Sequence, residues 1–234
     1  MARHIVACGG GGWMADGRVG VLERYILGLC ASERPRVCFL PTASGDSDGL
    51  VTRFYEAFAD IECEPSHVAL FRPHPQRVAE RLLAADAIYV GGGSTANLIA
   101  IWEVHALDAV LRRAWHRGIV LSGVSAGAIC WFEWGVTDSL GAGYAPVRGL
   151  GLAPGGFCPH ADGDPARLPA LRELLGRGAM PPTLAVDDGA AVHLRDGQVE
   201  RVVTTAPGLG ARRLGPGGLS EDLEGPAPAL APAG

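Results

Sequence analysis

No apolar run in these 234 residues reaches the length needed to cross a bilayer, which argues against a membrane-spanning helix. Positive charge is scarce as well. The formal net charge is −5, so the chain lacks the basic footprint of a nucleic-acid partner. Charged residues make up only 19% of the chain and aromatics 6%, while nearly half of it is apolar, which is enough for one large core. The six cysteines (Cys8, Cys30, Cys38, Cys63, Cys130 and Cys158) contain no C-x-x-C pair, and most lie inside apolar runs. Structural zinc does not fit that spacing; buried free thiols in a reducing cytoplasm do. The first eight residues run straight into Gly9-Gly10-Gly11-Gly12 and read as a first strand, not as a targeting segment.

What the chain has in abundance is glycine, 34 residues, placed at the ends of short apolar runs. Continuous apolar strands are expected at His4–Cys8, Arg36–Leu40, His67–Phe71, Ala87–Val90 and Ile119–Leu121. Helical spacing is expected over Val19–Cys30, Leu50–Ala59, Arg77–Ala84, Thr95–Trp102 and Leu107–His116. Such alternation predicts an α/β fold with a parallel sheet covered on both faces, whose ligands bind at the carboxyl ends of the strands. The small-residue loops after Cys8, Leu40 and Val90, and a serine turn at Ser125, would share that rim. After Gly135 the sequence turns rich in Gly and Pro. Leu184–Val186, Ala190–Leu194 and Val199–Thr204 read as a hairpin-rich end. Residues 1–214 are expected to form one domain, followed by a poorly ordered Pro/Gly/Ala-rich tail over 215–234.

Gly123-Val124-Ser125-Ala126-Gly127 sits between an apolar strand and the apolar run Ala128–Phe132, which is read as a helix. A serine at a strand-to-helix junction is pushed out on a sharp turn, and small neighbours permit the turn. A serine hydroxyl needs a base, usually a histidine oriented by a carboxylate. Of seven histidines, His4, His67 and His193 belong to strands, His105 and His116 to helix ends, and His74 to a Pro-flanked loop. His160 opens a polar loop after a short apolar piece and is the candidate base. Glu133, Asp138, Asp162 and Asp164 are the acids in range; Asp138 follows Gly135, where the helix should stop. The N–H of Ala126 and those of Gly91-Gly92-Gly93 can serve an oxyanion hole. A phosphate cradle is the rival reading of the glycines, although no Lys-Ser/Thr follows them. Trp131, Phe132 and Trp134 fit either the core or a homodimer contact.

Val90-Gly91-Gly92-Gly93-Ser94-Thr95, the Ser125 pentapeptide with Ala128, and Cys158-Pro159-His160 together resemble the peptidase E family of serine peptidases. That family includes aspartyl dipeptidases and the more distant cyanophycinases. The likeness extends to Phe39–Ser44, Trp131–Ser139 and Asp187-Asp188-Gly189-Ala190-Ala191, and covers roughly residues 4–205. It implies a three-layer, flavodoxin-like fold similar to class I glutamine amidotransferase domains. It also implies a cytoplasmic serine peptidase cleaving short peptides without metal or organic cofactor. Carried over, Ser125 is the nucleophile, His160 the base and Asp138 the acid, with Glu133 in reserve. Gly92, Gly93 and Ala126 form the oxyanion hole, and Arg167 binds an acidic substrate residue. Two features depart from the aspartyl dipeptidase pattern: Ser94 stands where those enzymes carry Asn, and the loop before Arg167 is shorter. The alternatives are a cyanophycinase-like or esterase-like serine hydrolase, or a non-catalytic binding module on the same fold.

Overall fold

A computed structural model describes residues 2–71 and 77–223. The strands are β1 (His4–Cys8), β2 (Arg36–Leu40), β3 (Glu64–His67), β4 (Ala87–Val90), β5 (Val120–Val124), β6 (Phe132–Thr137), β7 (Ala145–Arg148), β8 (Ala153–Cys158), β9 (Thr183–Val186), β10 (Ala190–Arg195), β11 (Gln198–Thr204), β12 (Ala211–Leu214) and β13 (Ser220–Leu223). The helices are α1 (Trp13–Asp16), α2 (Val21–Gly28), α3 (Asp48–Phe58), α4 (Val78–Ala84), α5 (Thr95–Val104), α6 (Leu107–His116), α7 (Ala126–Ile129) and α8 (Arg167–Gly176). The expected strand at His67–Phe71 forms earlier, as β3. His74 lies outside the described residues. No helix among the described residues is long and apolar enough to cross a membrane.

The strands form two sheets. The first has the order β11-β10-β1-β5-β4-β2-β3, with β3, β2, β4, β5 and β1 mutually parallel and β10 and β11 added antiparallel. Its apolar strands are buried on both faces because alternate residues enter different cores. Ile5, Ala7, Cys38, Leu40, Ile88 and Val90 pack on one side with residues of α4, α5 and α6. Val6, Cys8, Val37, Phe39, Ala87 and Tyr89 pack on the other with Trp13 of α1, Leu22 and Ile26 of α2, and Phe54 and Phe58 of α3. Sheet between helix layers, with β-hairpins towards the C-terminus, is the fold class read from the sequence.

The second sheet, in the order β13-β12-β9-β8-β6-β7, is larger than a hairpin-rich end. Within it β6, β8 and β9 are parallel. The segment read as a helix through Phe132 splits instead: α7 stops at Ile129 and β6 begins at Phe132. Phe132-Glu133-Trp134-Gly135-Val136-Thr137 is rich in aromatic and β-branched residues, and pairing with two neighbours favours strand there. Trp131 and Phe132 are fully buried, which makes them core residues, and Trp134 lies under the Arg148 guanidinium at 4.6 Å. β13 pairs with β12, so residues 220–223 belong to this sheet and not to a tail. Residues 224–234 of the expected tail lie outside the described residues. All six cysteines are free thiols, five of them buried.

The carboxyl ends of both sheets meet. The loops after β1, β4 and β5 carry the glycines and Ser125; the loops after β6, β8 and β9 carry Asp138, His160 and Asp188. Backbone bonds stitch the two rims together: His160 N–H donates to Gly9 O and Gly189 N–H to Gly10 O.

Candidate active site

Ser125 joins β5 to α7 with φ 55° and ψ −115°. That is a left-handed φ at a non-glycine residue, a conformation costing on the order of 1–3 kcal/mol. The surroundings leave no alternative. A Cβ on Gly123 would stand 2.2 Å from Gly127 O, and one on Gly127 would stand 2.1 Å from Val90 O. Both glycines of the pentapeptide are therefore demanded by backbone packing against backbone. Ser125 O accepts from the N–H groups of Ala128 and Ile129, each at 2.9 Å, closing the turn.

His160 also has a positive φ, 52°. Its Nε2 lies 2.9 Å from Ser125 Oγ, and its Nδ1 lies 2.5 Å from Asp188 Oδ1. A carboxylate can only accept, so Nδ1 carries the proton and donates it. Nε2 is then a lone pair facing the serine hydroxyl, the tautomer a general base requires. The approach is close enough to exclude side chains nearby: a Cβ on Gly10 would lie 1.9 Å from Asp188 Oδ1 and 2.6 Å from His160 Nδ1. Asp188 is steadied from its own backbone, where its N–H donates to Asp162 Oδ1 at 2.7 Å.

A cleft of about 230 Å³ opens at this point, with Gly93, Thr95, Ser125, Asp138, His160 and Arg167 among its walls. Arg167 is 6% exposed. Its guanidinium lies 4.4 Å over the Tyr144 ring, Nη2 is 3.8 Å from Asp138 Oδ2, and Nε has no hydrogen-bond partner among the described residues. Asp164, beside Arg167 in sequence, accepts instead from the Tyr144 hydroxyl, which holds its carboxyl below the usual range. Gly93, at φ 141°, approaches Ala43 so closely that a Cβ would lie 2.2 Å from Ala43 O. Among the described residues the backbone N–H groups of Gly93 and Ala126 have no acceptor. That of Gly92 differs from expectation: it donates to Met14 Sδ at 3.3 Å.

The structure thus brings Ser125, His160, Gly93, Ala126, Asp138 and Arg167 to one rim, but the acid on His160 is neither of those expected. Asp138 ends up on the Arg167 side of the cleft because β6, not a helix, delivers it. Glu133 lies on the same strand, and its Oε2 accepts from Gly155 N–H at 2.9 Å. Asp188 takes the place at Nδ1, giving the chain order serine, histidine, acid. Asp187-Asp188-Gly189 reads as a turn in the sequence; the overlooked signal is that it follows an apolar parallel strand, β9, just as His160 follows β8. No cluster of three or more His, Cys, Asp or Glu suited to a metal is found among the described residues.

Comparison with known proteins bears on the fold and the family. The chain is 45% identical over 212 residues to YgaJ of Bacillus subtilis (strain 168), an uncharacterised peptidase, covering 91% of this chain and 92% of that one. Two solved structures share the fold at low identity. A peptidase from an acI-B1 Actinobacterium superposes with a TM-score of 0.67 at 18% identity, covering 95% of this chain and 97% of the other. A candidate peptidase E protein from Listeria monocytogenes EGD-e superposes with 0.65 at 14%, covering 88% and 100%. Residues 5–202 match the sequence profile of Peptidase family S51, and the chain belongs to that family.

Proposed function

We propose that this chain is a serine-type peptidase that hydrolyses short peptides, dipeptides above all, with a preference for an acidic residue at the N-terminal side of the cleaved bond. The observation that carries the reading is the line Ser125 Oγ–His160 Nε2–His160 Nδ1–Asp188 Oδ1, with separations of 2.9 and 2.5 Å at its two hydrogen bonds. Ser125 attacks the scissile carbonyl while His160 takes its proton, and Asp188 holds the imidazolium that forms. The tetrahedral oxyanion rests on the N–H groups of Gly93 and Ala126. His160 then protonates the leaving amine, and water, deprotonated by the same imidazole, releases the acyl group.

The cleft supports the restriction to small substrates. Its volume of about 230 Å³ falls below the ~300–1,000 Å³ usual for ligand pockets. Arg167 is a buried cation whose ion-pair partner, Asp138, is 66% exposed and 3.8 Å away. A substrate carboxylate that reached Arg167 would gain a charge-assisted bond in a site already desolvated. Asp138 remains on the same wall to receive an ammonium, as the free amine of a dipeptide would supply.

A panel of X-Leu dipeptides, scanned over the first residue, tests the reading. Asp-Leu is expected to turn over fastest and Ser125→Ala to leave no measurable activity. Cleavage of p-nitrophenyl esters with no dipeptide hydrolysed would favour the esterase-like alternative.

A further inference from the structure

The glycine loop after β4 has four consecutive backbone N–H groups, and three of them are tied down. Gly91 N–H donates to Leu40 O at 3.1 Å and Ser94 N–H to Ala43 O at 2.8 Å. Gly93 N–H is left to the cleft. Gly92 N–H is held by a side chain, the thioether of Met14, at 3.3 Å. Met14 lies against the loop more broadly: Sδ is 3.6 Å from where a Cβ on Gly91 would stand, and Cε 3.9 Å from that on Gly92.

Met14 is itself fixed. Its neighbour Trp13 is wholly buried against the rings of Phe39, Phe54, Phe58 and Tyr89. The buried Glu23 carboxylate accepts from Trp13 N–H at 3.1 Å and from Gly20 N–H at 2.8 Å, and Arg53 Nη2 donates to Met14 O at 3.0 Å. The whole of α1 is thereby anchored to two other elements.

Glycine peptide planes rotate at little steric cost, so three in a row do not hold an N–H in one direction unaided. An oxyanion donor that has to reorient during the reaction loses much of its value. We propose that Met14 is a positioning residue for the oxyanion hole: by accepting from Gly92 N–H it fixes the loop with Gly93 N–H directed to the cleft. The inference rests on Ser125 being the nucleophile, as proposed above. The thioether is a weak acceptor, but it is the one that this N–H has among the described residues.

Fluorophosphonate labelling of Ser125 tests this, because the serine oxygen displaces fluoride from phosphorus and the phosphonyl oxygen is then seated in the oxyanion hole. Met14→Leu keeps the volume and deletes the acceptor; Met14→Gln restores an acceptor. Met14→Leu should lower the maximal labelling rate about ten-fold with the reagent's half-saturation concentration unchanged, a smaller loss than the ~10²–10³-fold of deleting a donor outright. Met14→Gln should recover most of the rate. A wild-type rate in Met14→Leu, or equal losses in both variants, overturns the proposal, since a packing role predicts no rescue. Should Met14→Leu not fold, norleucine in place of all three methionines (Met1, Met14 and Met180) makes the same deletion, and a wild-type rate there overturns it equally. A wild-type protein that neither labels nor hydrolyses dipeptides removes the nucleophile reading, and this inference with it; labelled wild type with indifferent Met14 variants removes this inference alone.

Discussion

Two histidine networks lie along the β1–β10 strand pair, and their partners differ in one respect that matters. At the carboxyl end of β1, His160 joins a serine hydroxyl to a carboxylate. Further back, opposite Val6 of β1, His193 of β10 is 2% exposed, stacked on His4 with ring centroids 5.1 Å apart. Its Nε2 lies 2.9 Å from His4 Nδ1 and its Nδ1 2.8 Å from the Tyr25 hydroxyl. One consistent set of protons has Tyr25 donating to Nδ1 and Nε2 donating to His4, with every ring neutral. Burial first, and then the His4 charge, push the His193 pKa down to about 4; Arg201 and Arg195 add to this and Glu200 opposes it. Both imidazoles use both nitrogens. Of the two, His160 has a carboxylate on one nitrogen and a serine hydroxyl on the other. Charge of the partner and depth of burial, not number of hydrogen bonds, separate the two histidines.

Deleting the groups on each side should break the symmetry completely. Ser125→Ala is expected to lower kcat on the best dipeptide by about 10⁶-fold. Asp188→Asn leaves the geometry but forces the wrong tautomer, and should cost about 10⁴-fold. His193→Gln, by contrast, should stay within about two-fold of wild type in kcat. Steady-state kinetics on purified variants decides this, and a His193→Gln protein as inactive as Asp188→Asn would erase the distinction.

The same comparison sharpens within the cleft. Asp138 faces Arg167 and not His160, so Asp138→Asn should mainly raise KM, by about 10–100-fold, with kcat little changed. Arg167→Ala should reduce kcat/KM by about 10²-fold for acidic first residues and by less than about three-fold for neutral ones. Equal losses on both classes would remove Arg167 from recognition. A fall in kcat of the Asp188→Asn size in Asp138→Asn would return Asp138 to the triad.

β1, β2, β4 and β5 of the first sheet are legible in the sequence because they are apolar runs ended by small-residue loops, whereas β3, Glu64-Pro65-Ser66-His67, carries no such pattern. Arg36–Leu40 and Ala87–Val90 form where the pattern places them, and the serine turn is marked by glycines at which a Cβ would have no room. The second sheet is harder. β6 carries aromatic and β-branched residues that a short apolar segment can show in either helix or strand, and only pairing with β7 and β8 resolves it. The resemblance places the acid beyond the nucleophile helix, at Asp138, whereas β6 carries Asp138 to Arg167. Asp188 was hidden because Asp-Asp-Gly is good turn chemistry, and nothing local says that β9 delivers it to a histidine 28 positions away. Met14 had no signal: a thioether against a glycine N–H is a tertiary contact, with no spacing to betray it.

Stability against pH gives the smallest effect and still separates the two histidines. His193 titrates near 4 when folded and near its ordinary 6.5 when unfolded. Between those values the unfolded chain binds the extra proton, so stability falls as pH drops through this window, by about 3 kcal/mol over the whole of it. Buried Glu23, its pKa raised by desolvation, works in the opposite sense: folded protein holds that proton more tightly, so acidification recovers stability there. Urea unfolding at pH 7 and pH 5 should therefore show wild type losing stability on acidification, and His193→Gln losing less. His193→Gln should also be weaker at pH 7 by about 1–3 kcal/mol, because a ring packed between His4 and Tyr25 is gone. Parallel pH dependence in the two proteins would mean that His193 is charged in the fold. The contrast between a neutral structural imidazole and one built to accept a proton would then have to rest on Ser125 alone.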